Sequence, residues 1–583
     1  MKRILLTIFL ILLLPVWAGA TQHYYVRTTA AGDEDGSSFA NTWAIADINW
    51  STINTYLSTE DVYVYFKRGD TFGQLTILGN GTYVPASTNR LYLTVDPVDS
   101  GNKPIFTSSG ASDYYCIRWK NAGYITFDNL DLRHTASFYA SSGLTGGDRD
   151  DGGSTDSLNN KGYIYVTNCD FDGFGHYALA LFCSGDHIVV TDNTFTDCGN
   201  GIYFIDESGQ GGSYHYIANN TGNNIYGYTR PDLPVLDGHL VGLQSVNSSI
   251  IENNTGVNCR IPIINWSSSS YYMRFNIFRN NTLKDSELTA LDVYHGNNSG
   301  DTGSYGNLIY GNIIDDCANN SLRGAIRLNN LKPGSAGNRV FNNTIYDADD
   351  WGFNFRRSCD YTYWKNNIVW IDSRSGAENS MVLGQPEGYS MGSSHFFDYN
   401  LYWATDGDPS AYSIWINYSG SAHSWATWKS TAGHDTNSPN PANPLMTDPG
   451  NQDYTLQAGS PAIDAGGYLT NVAEATGTQT VITVSDIYWF HSDMGITDAD
   501  GNAVEGMLIT FYDTTNGLQN REITDINYGT SEITVASTDI IYDAENLTTP
   551  ANTTQIALRF SSTRPDIGAF EFEYKKKGVI IIN

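Results

Sequence analysis

Six residues fall at one phase of three successive short β-type runs and carry side chains that could do chemistry together. The runs are Leu291-Asp292-Val293, Ile326-Arg327-Leu328 and Phe353-Asn354-Phe355, and the next outward position in each holds Tyr294, Asn329 and Arg356. Side chains alternate along a strand, so the flanking apolar residues point inward while Asp292, Arg327 and Asn354 point out. Arg327 and Arg356 suit bidentate neutralisation of a uronate carboxylate. Tyr294, His239 or His295 could then take the neighbouring C5 proton, which completes the needs of β-elimination. Hydrolysis of a glycosidic bond asks instead for two carboxyl groups about 5–9.5 Å apart. The stripe offers Asp292, and the second would have to come from Asp232, Asp237 or Asp285. The bland reading is a surface ladder in which Asp292 and Arg327 only keep a sheet soluble, a pairing that contributes about 0–1 kcal/mol.

Earlier copies of the same run read Leu179-Ala180-Leu181, Ile202-Tyr203-Phe204 and Val241-Gly242-Leu243, with Phe182, Ile205 and Gln244 at the next outward position. Small and aromatic residues there make a platform for a sugar ring. Tyr203, Gln244, Asn329, Asn354 and Asp237 are therefore expected to bind substrate. His239 follows Asp237 and Gly238 at a strand entry, where an adjacent carboxylate could orient it as a proton carrier. A histidine in such a place is more often a structural hydrogen-bonder. The stretch from Ile261 to Trp266 does not align uniquely. Calcium is the one cofactor the sequence suggests, at Asp148, Asp150 and Asp151 or at Asp498, Asp500, Asn502 and Glu505, where oxygen ligands alternate. Neither run places Glu at the twelfth position, which holds Asn159 in the first and Ile509 in the second, and a solvated acidic turn explains each equally well.

The elements that would position these residues are marked by a recurring phrase. It reads Asp192-Asn193-Thr194-Phe195, Asn219-Asn220-Thr221-Gly222, Asn253-Asn254-Thr255-Gly256, Asn280-Asn281-Thr282-Leu283, Gly311-Asn312-Ile313-Ile314, Asn342-Asn343-Thr344-Ile345 and Asn366-Asn367-Ile368-Val369, with a degenerate first copy at Asn168-Cys169-Asp170-Phe171. Spacings of 24 to 34 residues with one polar turn per copy describe the rung of a solenoid. The second asparagines should stack at one bend, and Cys198, Cys259 and Cys317, at equal phase, should form an interior column. Parallel crossovers take the right hand. Asn41 to Leu57 has a helical look and would cap the open sheet edge at the start. Long insertions at 137–161, 223–239 and 284–305 would wall the outward stripe.

Phe66-Lys67-Arg68-Gly69-Asp70-Thr71-Phe72 resembles the opening of exported right-handed parallel β-helix proteins of the pectate-lyase-like superfamily. Gly459-Ser460-Pro461-Ala462-Ile463-Asp464-Ala465-Gly466 and Arg564-Pro565-Asp566-Ile567-Gly568-Ala569-Phe570-Glu571 are similar to the phrases that close such helices. The resemblance covers roughly 20–470 and the closing segment. It implies an all-β solenoid over 21–467 with its cap, and a fold that hosts lyases, hydrolases and non-enzymes alike. The two closing phrases stand about a hundred residues apart, so 468–563 reads as a small inserted β domain and 564–583 as the closing strand and tail.

Thirty-two Lys and Arg against 62 Asp and Glu give a net charge of −30, which disfavours nucleic acid as a partner. Lys2 and Arg3, the apolar run Ile4 to Leu14 and Ala18-Gly19-Ala20 read as an export signal over 1–20. No later stretch is apolar enough to span a membrane, and a secreted monomer is expected. Together these features point to a polysaccharide-active protein, with a lyase acting on a uronate glycan ahead of a glycoside hydrolase. A non-catalytic glycan-binding or surface protein is the other class.

Overall fold

A computed structural model describes residues 21–571 except 79–88, 109–114, 121, 135–140, 148–161, 183–184, 206–211, 228–237, 268–271, 296–303, 318–323, 330–335, 350, 357–360, 372–379, 385–394, 406–414, 419–420, 432, 474–476, 537–539, 543–553, 561 and 563. Among them the chain winds as a right-handed parallel β-helix of three long sheets. Sheet 1 has 14 strands, sheet 2 has 12 and sheet 3 has 13, and successive strands of each sheet come from successive rungs. One rung, for example, is Val189–Thr191 in sheet 1, Thr194–Cys198 in sheet 2 and Asn200–Ile205 in sheet 3. Every neighbour pair in these sheets is parallel except the last of sheet 3, Trp415–Tyr418 with Ser421–His423. The apolar core runs up the inside as one cluster from Tyr24 to Trp428.

The recurring phrase has a physical cause at each of its first two positions. The first takes left-handed backbone, with φ of 60° at Asp192, 57° at Asn219, 53° at Asn253 and 58° at Asn366. Asn and Asp tolerate that region better than other side chains, and Gly311 occupies it freely. The second position turns its amide inward at the corner between sheets 1 and 2. Asn193 Nδ2 donates to Asn220 Oδ1 at 2.9 Å, and the series continues through Asn254, Asn281, Asn312, Asn343 and Asn367 to Asn400. Each Nδ2 also donates to a backbone carbonyl, as Asn281 does to Ile251 at 3.0 Å. The ladder ends on a carboxylate: Asn400 Nδ2 donates to Asp435 Oδ1 at 2.9 Å. Tyr402, Trp428 and Ser438 donate to the same buried group. A shorter ladder of Asn276, Asn307 and Asn338 marks the corner between sheets 3 and 1.

Cys198, Cys259 and Cys317 lie in one buried column of sheet 2, unpaired, as their phase implies. Burial pushes the Cys198 and Cys259 thiols up to about 12, which leaves them inert. The N-terminal cap is shorter than expected. Trp43–Ala44 is a strand, Ile45–Asp47 a single tight turn, and the helix runs only over Trp50–Leu57, capped by the Asn49 side chain on Thr52 N. Its Ile53 and Leu57 cover the end of the core.

Residues after the first closing phrase build an antiparallel sheet of six strands, among them Leu508–Asp513 and Gly517–Asn527. It packs on the outer face of sheet 1, where Ile250, Ile277, Leu308, Tyr310 and Phe341 meet Trp489, Phe490, Met507 and Ile509 in one buried cluster. The chain then returns to the β-helix. Gly466 N donates to Pro565 O at 2.8 Å and Gly568 N to Asn366 O at 2.7 Å, so the two closing phrases meet despite the residues between them. Residues 1–20 and 572–583, which include the expected export signal, lie outside the described residues. No helix among the described residues is long and apolar enough to cross a membrane.

Candidate functional site

The outer face of sheet 3 carries the residues singled out from the sequence, in the register the phases imply. Asp292 pairs with Arg327 and Arg327 with Asn354, while Tyr294, Asn329 and Arg356 make the parallel row. Leu291, Val293, Ile326, Leu328 and Phe353 point into the core on the other side. Their accessibility differs from the expectation of an exposed patch. Asp292, Asn329 and Asn354 are fully buried and Arg327 is 6% exposed. The reason lies partly in the pair itself. Arg327 Nε donates to Asp292 Oδ1 at 2.9 Å and Nη2 to Oδ2, a bidentate fork whose guanidinium also sits 5.9 Å from the Tyr294 ring centre. Burial pulls the Arg327 pKa down, but the charge and hydrogen bonds of Asp292 outweigh it and leave the guanidinium above its ordinary value. This is a locked, charge-neutral pair, not a free cation waiting for a substrate carboxylate.

The earlier rungs are also covered. Tyr203 is buried with Tyr177, Ala180 and Phe182 in an aromatic cluster on the outside of the sheet, and so is no open platform. Gly242 is the residue that lets this happen, because a Cβ there would meet the Tyr203 ring at 2.6 Å. His239 is buried beside Tyr203, with Nδ1 3.1 Å from Ile261 O and its backbone N donating to Asn200 Oδ1 at 3.0 Å. These contacts are those of a hydrogen-bonder at the strand entry, and His239 is buried rather than open to a substrate.

What remains half-exposed is a row that sequence alignment left open. The register puts Gln244 beside Trp266 and Trp266 beside Tyr294, all three partly accessible. Trp266 was missed because Ile261 to Trp266 fits two phases. The presence of Ile264 at the outward position, packed with Ile261 and Leu288, hides the alternation. At rung spacings of about 4.8 Å the row is roughly 10 Å long. Next to it lies Asn329, with neither amide atom hydrogen-bonded among the described residues. A buried amide without partners costs roughly 1–3 kcal/mol.

Asp148, Asp150, Asp151, Asp232 and Asp237 lie outside the described residues, as do the side chains of His295 and Arg356. The expected wall insertions are partly rung: Ser142–Gly146, Thr221–Ile225 and Leu291–His295 are regular strands of the sheets. Asp285 belongs to the sheet 2 strand Thr282–Ser286, not to sheet 3. The second candidate calcium loop closes on itself, with Asp498 accepting from Asp500 N, Asn502 N and Asn502 Nδ2. No group of three or more His, Cys, Asp or Glu among the described residues is arranged to hold a metal ion.

No protein-family model matches the sequence, and no curated protein does. Solved structures align with parts of this chain. A GH136 lacto-N-biosidase from Eubacterium ramulus aligns at 14% identity over 66% of this chain and 67% of that one, with a TM-score of 0.34. Pectate lyase Pel9A aligns at 15% identity over 79% and 94%, TM-score 0.33. A DFA-IIIase from Arthrobacter chlorophenolicus A6 in complex with DFA-III aligns at 13% over 59% and 84%, TM-score 0.33. This chain thus spans about two thirds of the lacto-N-biosidase. The parallel β-helix assignment rests on the strand pairing itself, and the reactions of those three proteins remain their own.

Proposed function

We propose that this chain binds and cleaves a polysaccharide outside the cytoplasm, laying it across the outer face of sheet 3. The observation that carries the reading is the Gln244–Trp266–Tyr294 row: one amide and two aromatic rings, in register and half-exposed, on a rigid sheet. Aromatic faces hold the apolar face of a sugar while an amide takes its hydroxyls, and sites built on strands stay in position. The cleavage proposed is β-elimination of a uronate-containing glycan. Because Arg327 is occupied by Asp292, the cation for the uronate carboxylate is assigned to Arg356, in the same row as Tyr294; Tyr294, as phenolate, takes the C5 proton as C4=C5 forms and the C4–O bond breaks, and returns it to the leaving glycosidic oxygen. A panel of uronate and neutral polysaccharides, with and without added calcium, tests this. Unsaturated ends together with new reducing ends support elimination, and reducing ends alone replace it by hydrolysis.

A second reading follows from the burial of Asp292 and Arg327, which fits a scaffold pair beneath a non-catalytic glycan-binding row. Retention of a polysaccharide in affinity electrophoresis, with no new ends of either kind, selects it.

A further inference from the structure

A cavity of about 520 Å³ opens at the seam between the last rungs of sheet 1 and the antiparallel module docked on them. Its wall is built from Tyr363, Lys365, Phe396, Asp398, Asp486 and Trp489. We infer that this seam is a binding site for the end of a neutral oligosaccharide, separate from the sheet 3 face. The volume falls within the roughly 300–1,000 Å³ of small-molecule sites.

Three features argue for the ligand class. Phe396 is 48% exposed and stacks on Tyr363 at 4.6 Å, with Trp489 edge-on to Tyr363 at 5.8 Å, so an aromatic shelf faces the opening. The register sets Lys365 directly beside Asp398, yet the two charges form no ion pair. Lys365 Nζ turns to the Tyr468 carbonyl, its sole hydrogen bond among the described residues, and stands 5.2 Å from the Tyr399 ring centre and 5.8 Å from that of Trp489. Asp398 turns the other way, to Asn437 N at 2.8 Å and Asn437 Nδ2 at 2.7 Å. Lys365 and Asp398 both line the cavity, so a donor and an acceptor are available there to hydroxyls on different carbons of one ring. The third feature is charge balance. Lys365 and Arg339, which bonds Asp486 at 3.1 Å, offset Asp398 and Asp486, and burial keeps the lining His395 neutral with its pKa lowered to about 3. A neutral polyhydroxylated ligand suits that balance better than a uronate.

The test uses the full chain and a set of neutral gluco-, manno-, galacto- and xylo-oligosaccharides, followed by calorimetry and by tryptophan emission, since Trp489 lines the cavity. Saturable binding of at least one sugar is expected, weakened tenfold or more in Phe396→Ala and in Lys365→Met, with Trp266→Ala unaffected. The thermal midpoint of Phe396→Ala should match the parent, because the ring is half in water, and Lys365→Met guards against a folding defect in either variant. Binding by uronates alone, or no saturable binding, overturns the inference. Loss in Trp266→Ala with retention in Phe396→Ala also overturns it and assigns the sugar to sheet 3, so the two sites succeed or fail independently.

Discussion

Arg327 shows how far a residue's neighbours can be read while its surroundings cannot. Alternation and rung phase place Asp292, Arg327 and Asn354 side by side, because both follow from strand geometry alone. Their burial was not legible, since it depends on what lies over the sheet. The consequence for mutation reverses the expectation of an exposed charge. Arg327→Ala leaves the Asp292 carboxylate buried without its cation, and we expect a loss of roughly 3–5 kcal/mol. The double change Asp292→Leu with Arg327→Met should cost much less than the single, and urea unfolding of the cycle measures the difference. Trp266→Ala, on a half-exposed ring, should change stability by no more than about 0.5 kcal/mol while lowering polysaccharide retention about tenfold. Lys365 titrates in the opposite sense to an ion-paired lysine. Burial lowers its pKa from 10.5 to about 8, so between about pH 8 and 10 the unfolded chain binds more protons and stability rises with pH. Lys365→Met should therefore be more stable than the parent at pH 7, with the gap shrinking as pH passes from 8 to 10. A constant gap in denaturant titrations would show that the amine is not desolvated.

At the scale of the element, the asparagine ladder was the feature most open to reading. Its two demands, a left-handed first residue and an inward amide at the second, select residue types so narrowly that the phrase repeats visibly. The shorter ladder of Asn276, Asn307 and Asn338 escaped notice because its neighbours vary, with Phe275 and Gly306 preceding the first two. So did the terminator, Asp435, which lies outside any repeat. Asn281→Ala removes both Nδ2 donor bonds and strands Asn254 N and Nδ2, which share Asn281 Oδ1 as acceptor, so a loss of about 1–3 kcal/mol is expected. Asp435→Leu, which strips four donors of their acceptor at once, should cost more than Asn281→Ala in the same unfolding assay. Equal losses would mean that the ladder is not anchored at its end.

For the whole molecule, the separation of the two closing phrases signalled an insertion, and several of its strands were visible as β-type runs. Its seat on sheet 1 was not, because outward Ile250, Ile277 and Leu308 look like ordinary strand residues until a partner covers them. Joining Gly467 to Arg564 is geometrically simple, as Gly466 already bonds Pro565. The shortened chain would uncover that apolar face and leave Arg279 without its bond to the Glu505 carbonyl at 2.8 Å. We expect it to self-associate, seen as a shift to larger size in light scattering, whereas a passive appendage would leave it monodisperse.

The ladder also gives the solenoid a direction. Every amide from Asn193 to Asn400 offers one hydrogen to the next rung on the C-terminal side, gives the other to a backbone carbonyl of the rung before, and turns its oxygen toward the N-terminal end. Eight small dipoles thus add head to tail, and the positive pole arrives where Asp435 supplies a negative charge. The sense is opposite to that of an α-helix, whose positive end is its N-terminus. Rungs added past Asp435 would meet an acceptor where the series needs a donor. The molecule therefore carries an electrical stop against growing longer or stacking end to end with its own copies.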